Sequence, residues 1–441
     1  MIKIFYINPD KQLNEKEIMA YINAFKTKYL PQLITNKKYY DVKNPAIMAK
    51  TVSDEMKSCE KIPTSFSRYI TTLISGYFMG KPVSYSIPDE ELSTIISMNR
   101  NKEISHNASL EKDASIFGVA YELLYLDSNK NLQFTKINPQ QIVLIYSNEI
   151  DGELLYAIRF WEDTDILTNN NTMNVEVYSN TDIKIYKQSN GGLELLETKI
   201  HYFGTNPIIP IFNNEDKTGD SQCIHKLIDC YDKSISSTQD FFNELNESYL
   251  VIYNSSLEDS DIQQMRENRI FAVDSGDTGG DARIEWLTRD GKNSESENFN
   301  NRIVDDILTF SFVKDLQQAS KSHISAESTK MGLMGVEQLC VEKETYFRTA
   351  LMKRLEIICN VYNLFGNDFN VDDVKITFVR NIPQNISAIS DTISKLKDTV
   401  STKTLLSQIP FVQSVDDELK QLEEERKHNY DNEIKTETLV Q

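Results

Sequence analysis

The longest unbroken pattern in the chain constrains its architecture most. Val336, Leu339, Cys340, Lys343, Tyr346, Phe347, Ala350, Leu351, Arg354, Leu355, Ile358, Val361, Tyr362 and Phe365 keep a 3.6-residue period. That spacing predicts one helix of about 30 residues, roughly 45 Å long, stopped by Gly366-Asn367. The whole chain has 441 residues, which at about 150 per domain suggests two or three compact units.

Other segments have their own periods. Phe66, Tyr69, Ile70, Leu73, Ile74, Tyr77 and Phe78 predict a helix that starts after Pro63-Thr64 and stops at Gly80-Lys81-Pro82. A further helix is expected from about Glu103 to Phe117. From Gly118 the period changes to two, with Tyr121, Leu123 and Tyr125 on one strand face and Glu122, Leu124 and Leu126 on the other. Short strands then follow to about residue 212, separated by Asn, Asp and Gly clusters, and read as an antiparallel meander. Pro207 and Pro210 exclude helix around Ile208 to Ile211.

A long helix is expected from near Asp220, on the stripe Ile224, Leu227, Ile228, Tyr231, Ile235, Phe241 and Leu245. After it the sequence predicts a small insert: strand 250–254, helix 259–268, strand 270–273, a Gly-rich turn at 275–280 and strand 283–287. Helix is expected again from about Ser294 to Gln317, then a small, polar loop from 318 to 335. A strand at Val374 to Val379, a helix at 385–397 and an acidic helical tail complete the reading.

Signs of chemistry are absent. There is no GxxxxGK[ST] and no GxGxxG, and the glycines at 276–280 read as a hairpin turn. Ser311 to Lys314 matches SxxK without the partner motifs of that enzyme class. His106, His201, His225, His323 and His428 are scattered, with no HExxH. The five cysteines form no CxxC pair and read as reduced thiols; Cys223 and Cys230, about 10 Å apart along one helix face, are too distant for a disulfide. Asp305-Asp306 and Asp372-Asp373 lack an evident third metal ligand and read as solvated faces. No metal or cofactor is therefore expected.

Charge narrows the partners. The formal net charge is −19, so no general attraction to phosphate backbones or anionic membranes is expected. No run of eighteen apolar residues spans a membrane, and no secretory signal opens the chain, so it is expected to stay in the compartment where it is made. Long helices, an α/β knob between two of them, a loop and no catalytic constellation describe a part of an assembly.

Several stretches together carry a resemblance: Lys61-Ile62-Pro63-Thr64-Ser65-Phe66 leading to Gly76-Tyr77-Phe78-Met79-Gly80-Lys81-Pro82-Val83, and Ala114-Ser115-Ile116-Phe117-Gly118-Val119-Ala120-Tyr121-Glu122. Further pieces are Asn206-Pro207-Ile208-Ile209-Pro210, Asn213-Asn214-Glu215, Gly219-Asp220, Ile376-Thr377-Phe378, Ile382-Pro383-Gln384-Asn385 and Ser401-Thr402-Lys403-Thr404-Leu405-Leu406. In this order the chain resembles the portal proteins of tailed bacteriophages, of the long-tailed siphophage type, over nearly its whole length. Lys61 stands where that family commonly has asparagine.

The resemblance implies an α+β portal fold that assembles as a dodecameric ring. Residues 1–219 would be the wing, 220–249 and 291–317 the two stem helices, 250–290 the clip and 318–336 the tunnel loop. Residues 337–396 would be the long wing helix and the C-terminal part of the wing, and 397–441 the crown. Double-stranded DNA would pass through the channel without sequence specificity, driven by the terminase large subunit. A head-completion adaptor and the major capsid and scaffolding proteins would be the other partners. The ring would sit at the portal vertex of the virion and be made in the cytoplasm of the bacterial host.

An acidic subunit suits a channel in which DNA must slide, because every neutralised phosphate adds affinity. Lys314, Ser320, Lys321, His323 and Lys330 are the candidate DNA-facing residues, and Asp259, Arg266, Arg269, Asp277 and Arg283 the candidate clip contacts to terminase or adaptor. Two other classes remain open at this point. One is a non-viral, acidic cytoplasmic scaffold, the other an enzyme that gathers distant carboxylates such as Asp305 and Glu342 around a metal.

Overall fold

A computed structural model describes residues 4–51, 59–98, 100–150, 152–164, 171–189, 192–246, 249–253, 283–287, 293–313, 333–381, 386–397, 399–407 and 418–425, with 409, 412 and 415. It is a mixed helix-and-sheet structure, as an α+β chain should be. Two compact units divide it: residues 34–70 with 220–336 form one, and residues 1–33, 71–219 and 337–441 the other.

In chain order the elements are β1 (Phe5–Ile7), α1 (Glu15–Lys28), α2 (Leu30–Tyr40), α3 (Pro45–Met48), α4 (Phe66–Met79), β2 (Ser84–Ser86), α5 (Glu90–Met98) and α6 (Arg100–Phe117). Strands β3 (Val119–Leu126), β4 (Leu132–Ile137), β5 (Ile142–Ser147), β6 (Leu154–Thr164), β7 (Asn171–Tyr178), β8 (Asp182–Ser189), β9 (Gly192–Ile200) and β10 (Ile208–Phe212) follow. Next come α7 (His225–Asn246), β11 (Tyr249–Tyr253), β12 (Arg283–Leu287), α8 (Asn293–Phe310) and α9 (Met334–Asn363). The last are β13 (Lys375–Thr377), α10 (Ile386–Leu396) and α11 (Thr402–Leu406).

Among the described residues the larger unit holds three sheets, two of them large and the third the short antiparallel pair of β2 and β13. Strands β5 to β9 form the expected antiparallel meander, with β1 added in parallel against β5. The meander does not include every strand of the region: β4 pairs with β3, and β10 returns to the other edge of β3, giving a separate sheet in the order β10-β3-β4. The break falls at Asn138-Pro139. The Asn138 side chain accepts from Gln140 N at 3.0 Å and starts a 3-10 turn with proline in its first position, which redirects the chain. Pro210 is accommodated because β10 is an edge strand.

The two faces of β3 have different jobs, as its alternation requires. Val119, Tyr121 and Leu123 join Ile142, Leu144, Ala157 and Tyr178 in the core between the sheets. Glu122, on the opposite face, meets Arg354 of α9 and His106 of α6. Gly118 makes the corner between α6 and β3 at φ +86°, and a Cβ there would lie 2.3 Å from the Lys217 carbonyl oxygen. Only glycine fits that corner.

In the smaller unit α7 and α8 pack against one another, and β11 pairs antiparallel with β12, Tyr253 opposite Arg283. Both strands and α7 appear where the sequence predicts them. The expected helix 259–268, strand 270–273 and glycine turn lie outside the described residues. The helix expected to reach Gln317 ends earlier, at Phe310. Phe312 takes the left-handed conformation at φ +58°, and the amides of Val313 and Phe312 bond back to the carbonyls of Leu308 and Thr309 at 3.0 and 3.1 Å. This is a Schellman stop without the glycine that would have announced it. The long helix also starts earlier than its stripe, at Met334, taking in Gly335.

Candidate functional site

The smaller unit is organised by a polar stripe on α7. Asp229, Asp232, Ser236 and Asp240 recur at helical spacing and are all buried. Each holds part of residues 39–64. Tyr39 Oη donates to Asp229 at 2.6 Å, and Asn44 Nδ2 to Asp232 at 2.7 Å. Thr64 donates through N and Oγ1 to Asp232 at 3.0 and 2.6 Å. The amide of Ile62 reaches Ser236 at 3.1 Å and that of Glu60 reaches Asp240 at 2.8 Å, while Lys50 Nζ pairs with Asp240 at 2.5 Å. Burial raises the Asp232 carboxyl above its ordinary range, against the pull of the Thr64 and Asn44 hydrogen bonds. His225 stacks on Tyr39 with ring centres 3.8 Å apart, and burial lowers its imidazole to about 4.

At the end of α8 the chain comes back to itself. A Cβ on Gly335 would lie 3.2 Å from the Phe312 carbonyl oxygen, so the residues just before and just after 314–332 meet side by side. Lys314, Ser320, Lys321, His323 and Lys330 lie in that interval, outside the described residues. So do Asp259, Arg266, Arg269 and Asp277. Arg283 opens β12.

In the larger unit the long helix α9 is fixed by three cation sites. Lys343 is 3 % exposed at its side chain and donates to Glu111 at 2.9 Å, Ser115 at 2.7 Å and Asn213 at 2.6 Å. About three turns further on, Arg354 donates to Glu122 and Glu103, both at 2.9 Å, and to Asn107 at 2.8 Å. Glu103 also accepts from Tyr85, and Glu122 from His106 at 2.8 Å. Burial works to lower the Arg354 pKa and to raise that of Glu122, yet the surrounding groups together outweigh it: Glu122, Tyr85 and Glu103 raise Arg354, and Arg354 with His106 lowers Glu122. Both stay ionised. The third cation, Arg380, pairs with Glu337 at 3.0 Å and Glu344 at 2.9 Å, and Tyr77 donates to Glu337 at 2.8 Å. Buried pairs of this kind contribute little net stability, but they hold one register, because a shifted helix would leave its charges unpaired.

These anchors were missed in the sequence reading, although a signal was present. Lys343 and Arg354 sit within the apolar stripe of α9, where a cation requires a buried partner. Glu103, Asn107, Glu111 and Ser115 repeat every fourth residue along α6 and supply it.

Among the described residues no group of three or more His, Cys, Asp or Glu side chains is placed to hold a metal ion. Asp305 is exposed, and Glu342 accepts the Glu215 amide at 3.1 Å. Among the described residues no helix is long and apolar enough to cross a membrane.

The chain's family follows from comparison with known proteins. Residues 20–431 match the family described as phage portal protein, SPP1 Gp6-like, and the chain belongs to that family. The portal protein of Bacillus phage SPP1 is 23% identical over 413 residues, covering 88% of this chain and 79% of its own length. The portal protein of Clostridium phage phiCD119 is 23% identical over 435 residues, covering 90% of this chain and 93% of its own length. The resemblance read from the sequence is thus correct. The chain is a portal protein of the bacteriophage type, a structural component of the virion capsid.

Proposed function

We propose that about a dozen copies of this chain close into the ring at one capsid vertex, through which double-stranded DNA enters under the terminase motor and later leaves. The ring also carries the head-completion adaptor and the tail. The family match over residues 20–431 is the observation that carries this reading.

The parts take the roles expected above. Residues 1–219 and 337–396 form the wing, 220–249 and 291–317 the stem, 250–290 the clip, 318–336 the tunnel loop and 397–441 the crown. Two features support the division. A paired hairpin, β11 and β12, lies in sequence between the packed helices α7 and α8. The ends of the 314–332 interval meet at Phe312 and Gly335, as the base of a projecting loop requires. On this reading Lys314, Lys321, Lys330 and His323, with Ser320, make weak, transient phosphate contacts, and Asp259, Arg266, Arg269, Asp277 and Arg283 face the terminase or adaptor.

Heads assembled with and without this chain test the role. DNase-protected genome-length DNA should appear only with it; equal filling without it refutes the proposal. In the same assay Lys321→Ala with Lys330→Ala should lower packaging or retention, and unchanged values remove the phosphate contacts.

A further inference from the structure

The α7/α8 pair presents two outward faces of opposite sign. On α7 Lys226, Cys230, Lys233 and Ser237 form one exposed row at helical spacing, with Gln239 and Phe242 also exposed toward the C-terminal end of the helix. The Lys226 side chain is 95% exposed and lies 3.6 Å from the buried Asp229 carboxylate, which offsets part of its charge and leaves Lys233 as the other cation of the row. No acid interrupts this row, although the chain as a whole carries −19. On α8 exposed Phe299, Arg302 and Phe310 form a row with half-buried Asp306, and exposed Asp305 lies beside it. Arg302 offsets one acid by pairing with Asp306 at 3.7 Å, so the face stays net acidic, with an exposed aromatic ring toward each end.

Both helices are occupied elsewhere. The Asp229, Asp232, Ser236 and Asp240 side of α7 holds residues 39–64, and Ile303, Ile307 and Leu308 of α8 are buried. The two exposed rows belong to different helices of one rigid pair. They are complementary to each other and not to themselves.

That asymmetry decides the kind of contact. A two-fold contact made through either row alone would set lysine row against lysine row or acid against acid, and like charges in register are repelled. Joining the α7 row of one copy to the α8 row of the next satisfies both, and leaves each end of the pair with an unused complementary face. Repetition of a head-to-tail contact closes a ring. Phe299 and Phe310 add apolar area and a cation-binding ring face for the incoming lysines. We propose that the Lys226/Lys233 face of α7 in one copy docks on the Asp305/Asp306 face of α8 in the next copy, with Phe299 and Phe310 flanking the contact. This rests on the ring reading above and specifies the partner surface for it.

Charge reversal tests the pairing. Lys226→Glu with Lys233→Glu, Asp305→Lys with Asp306→Lys, and all four substitutions together are compared with the unaltered protein by native mass spectrometry, with circular dichroism to verify folding. Each single-face reversal should raise the concentration at which half the protein is in rings by roughly tenfold or more. The four-fold variant, whose faces are complementary again, should recover most of that loss. A second readout needs no charge change. In a Cys223→Ser background, native Cys230 with Asp306→Cys should give a ladder of disulfide-linked multimers on oxidation, and Cys230 alone should not.

Rings of unaltered stability in both reversed variants, or no ladder, overturn the interface while the ring reading stands. Failure of the unaltered protein to form rings refutes the ring reading instead. Intact rings combined with lost DNA packaging in the lysine variants would assign that row to DNA and also overturn the interface. Unfolding of a reversed variant moves the decision to the ladder.

Discussion

Removing Lys343 gives the sharpest check on how the long helix is held. Its ammonium group makes three hydrogen bonds of 2.9, 2.7 and 2.6 Å, and its carboxylate partner Glu111 has a side chain only 2% exposed. Lys343→Met keeps the length and apolar stem but takes from buried Glu111 the cation 2.9 Å away, while the Ser115 hydroxyl at 3.0 Å stays. Taking one partner from a buried pair costs about 3–5 kcal/mol. Adding Glu111→Leu removes the stranded charge. Asn213 Oδ1 then lacks this donor, a residual cost of about 1–3 kcal/mol, while Ser115 keeps Ser75 at 3.2 Å. The double variant should therefore be more stable than Lys343→Met by about 2 kcal/mol. Urea unfolding followed by fluorescence reads both values. A single variant within 1 kcal/mol of the parent, or a double variant less stable than the single, would refute the reasoning.

Three further outcomes follow from the structure. Val42 sits at φ +61° in the stop of α2, where its amide and that of Lys43 bond to Tyr39 and Lys38 at 3.2 and 2.8 Å; Val42→Gly should raise stability by about 1 kcal/mol, and a loss would show that its packing outweighs the strain. Gly118→Ala should cost at least about 2–3 kcal/mol, since the new methyl meets the Lys217 carbonyl at 2.3 Å and the left-handed corner is strained as well; a neutral result in the same urea assay would remove this account of the α6–β3 corner. His225, lowered to about 4 by burial, with Asp229 pulling its pKa up and Lys226 pulling it down, binds a proton more readily unfolded than folded. Its contribution of about 3 kcal/mol should thus be present above pH 6.5 and be lost as pH falls through about 4; an acid-stability profile unchanged by His225→Phe would argue against it.

Much of the fold was legible because it rests on local periodicity. Helix α4, the strand alternation of β3 and the long helix α9 all appear where their apolar spacing put them, within a few residues. Two kinds of feature were not legible. Helix α8 ends at Phe310 in a stop where Phe312 takes a conformation usually left to glycine, so no sequence mark announces it. The meander splits at Asn138 because strand partners are chosen by packing across sheets, which a period of two does not encode. Lys343 and Arg354 stood visibly on an apolar stripe, yet their acids lie more than two hundred positions away, and only the fold brings them together. The polar stripe of α7 was hidden for the same reason, since the groups that cover Asp229, Asp232 and Asp240 come from residues 39–64, far away in the sequence.

Native mass spectrometry of the purified chain, with negative-stain images of the same sample, bears most directly on the central claim. Closed rings of about a dozen subunits around a central hole are the result this account predicts. A chain that stays monomeric at high concentration, and also when heads assemble around it, would contradict it.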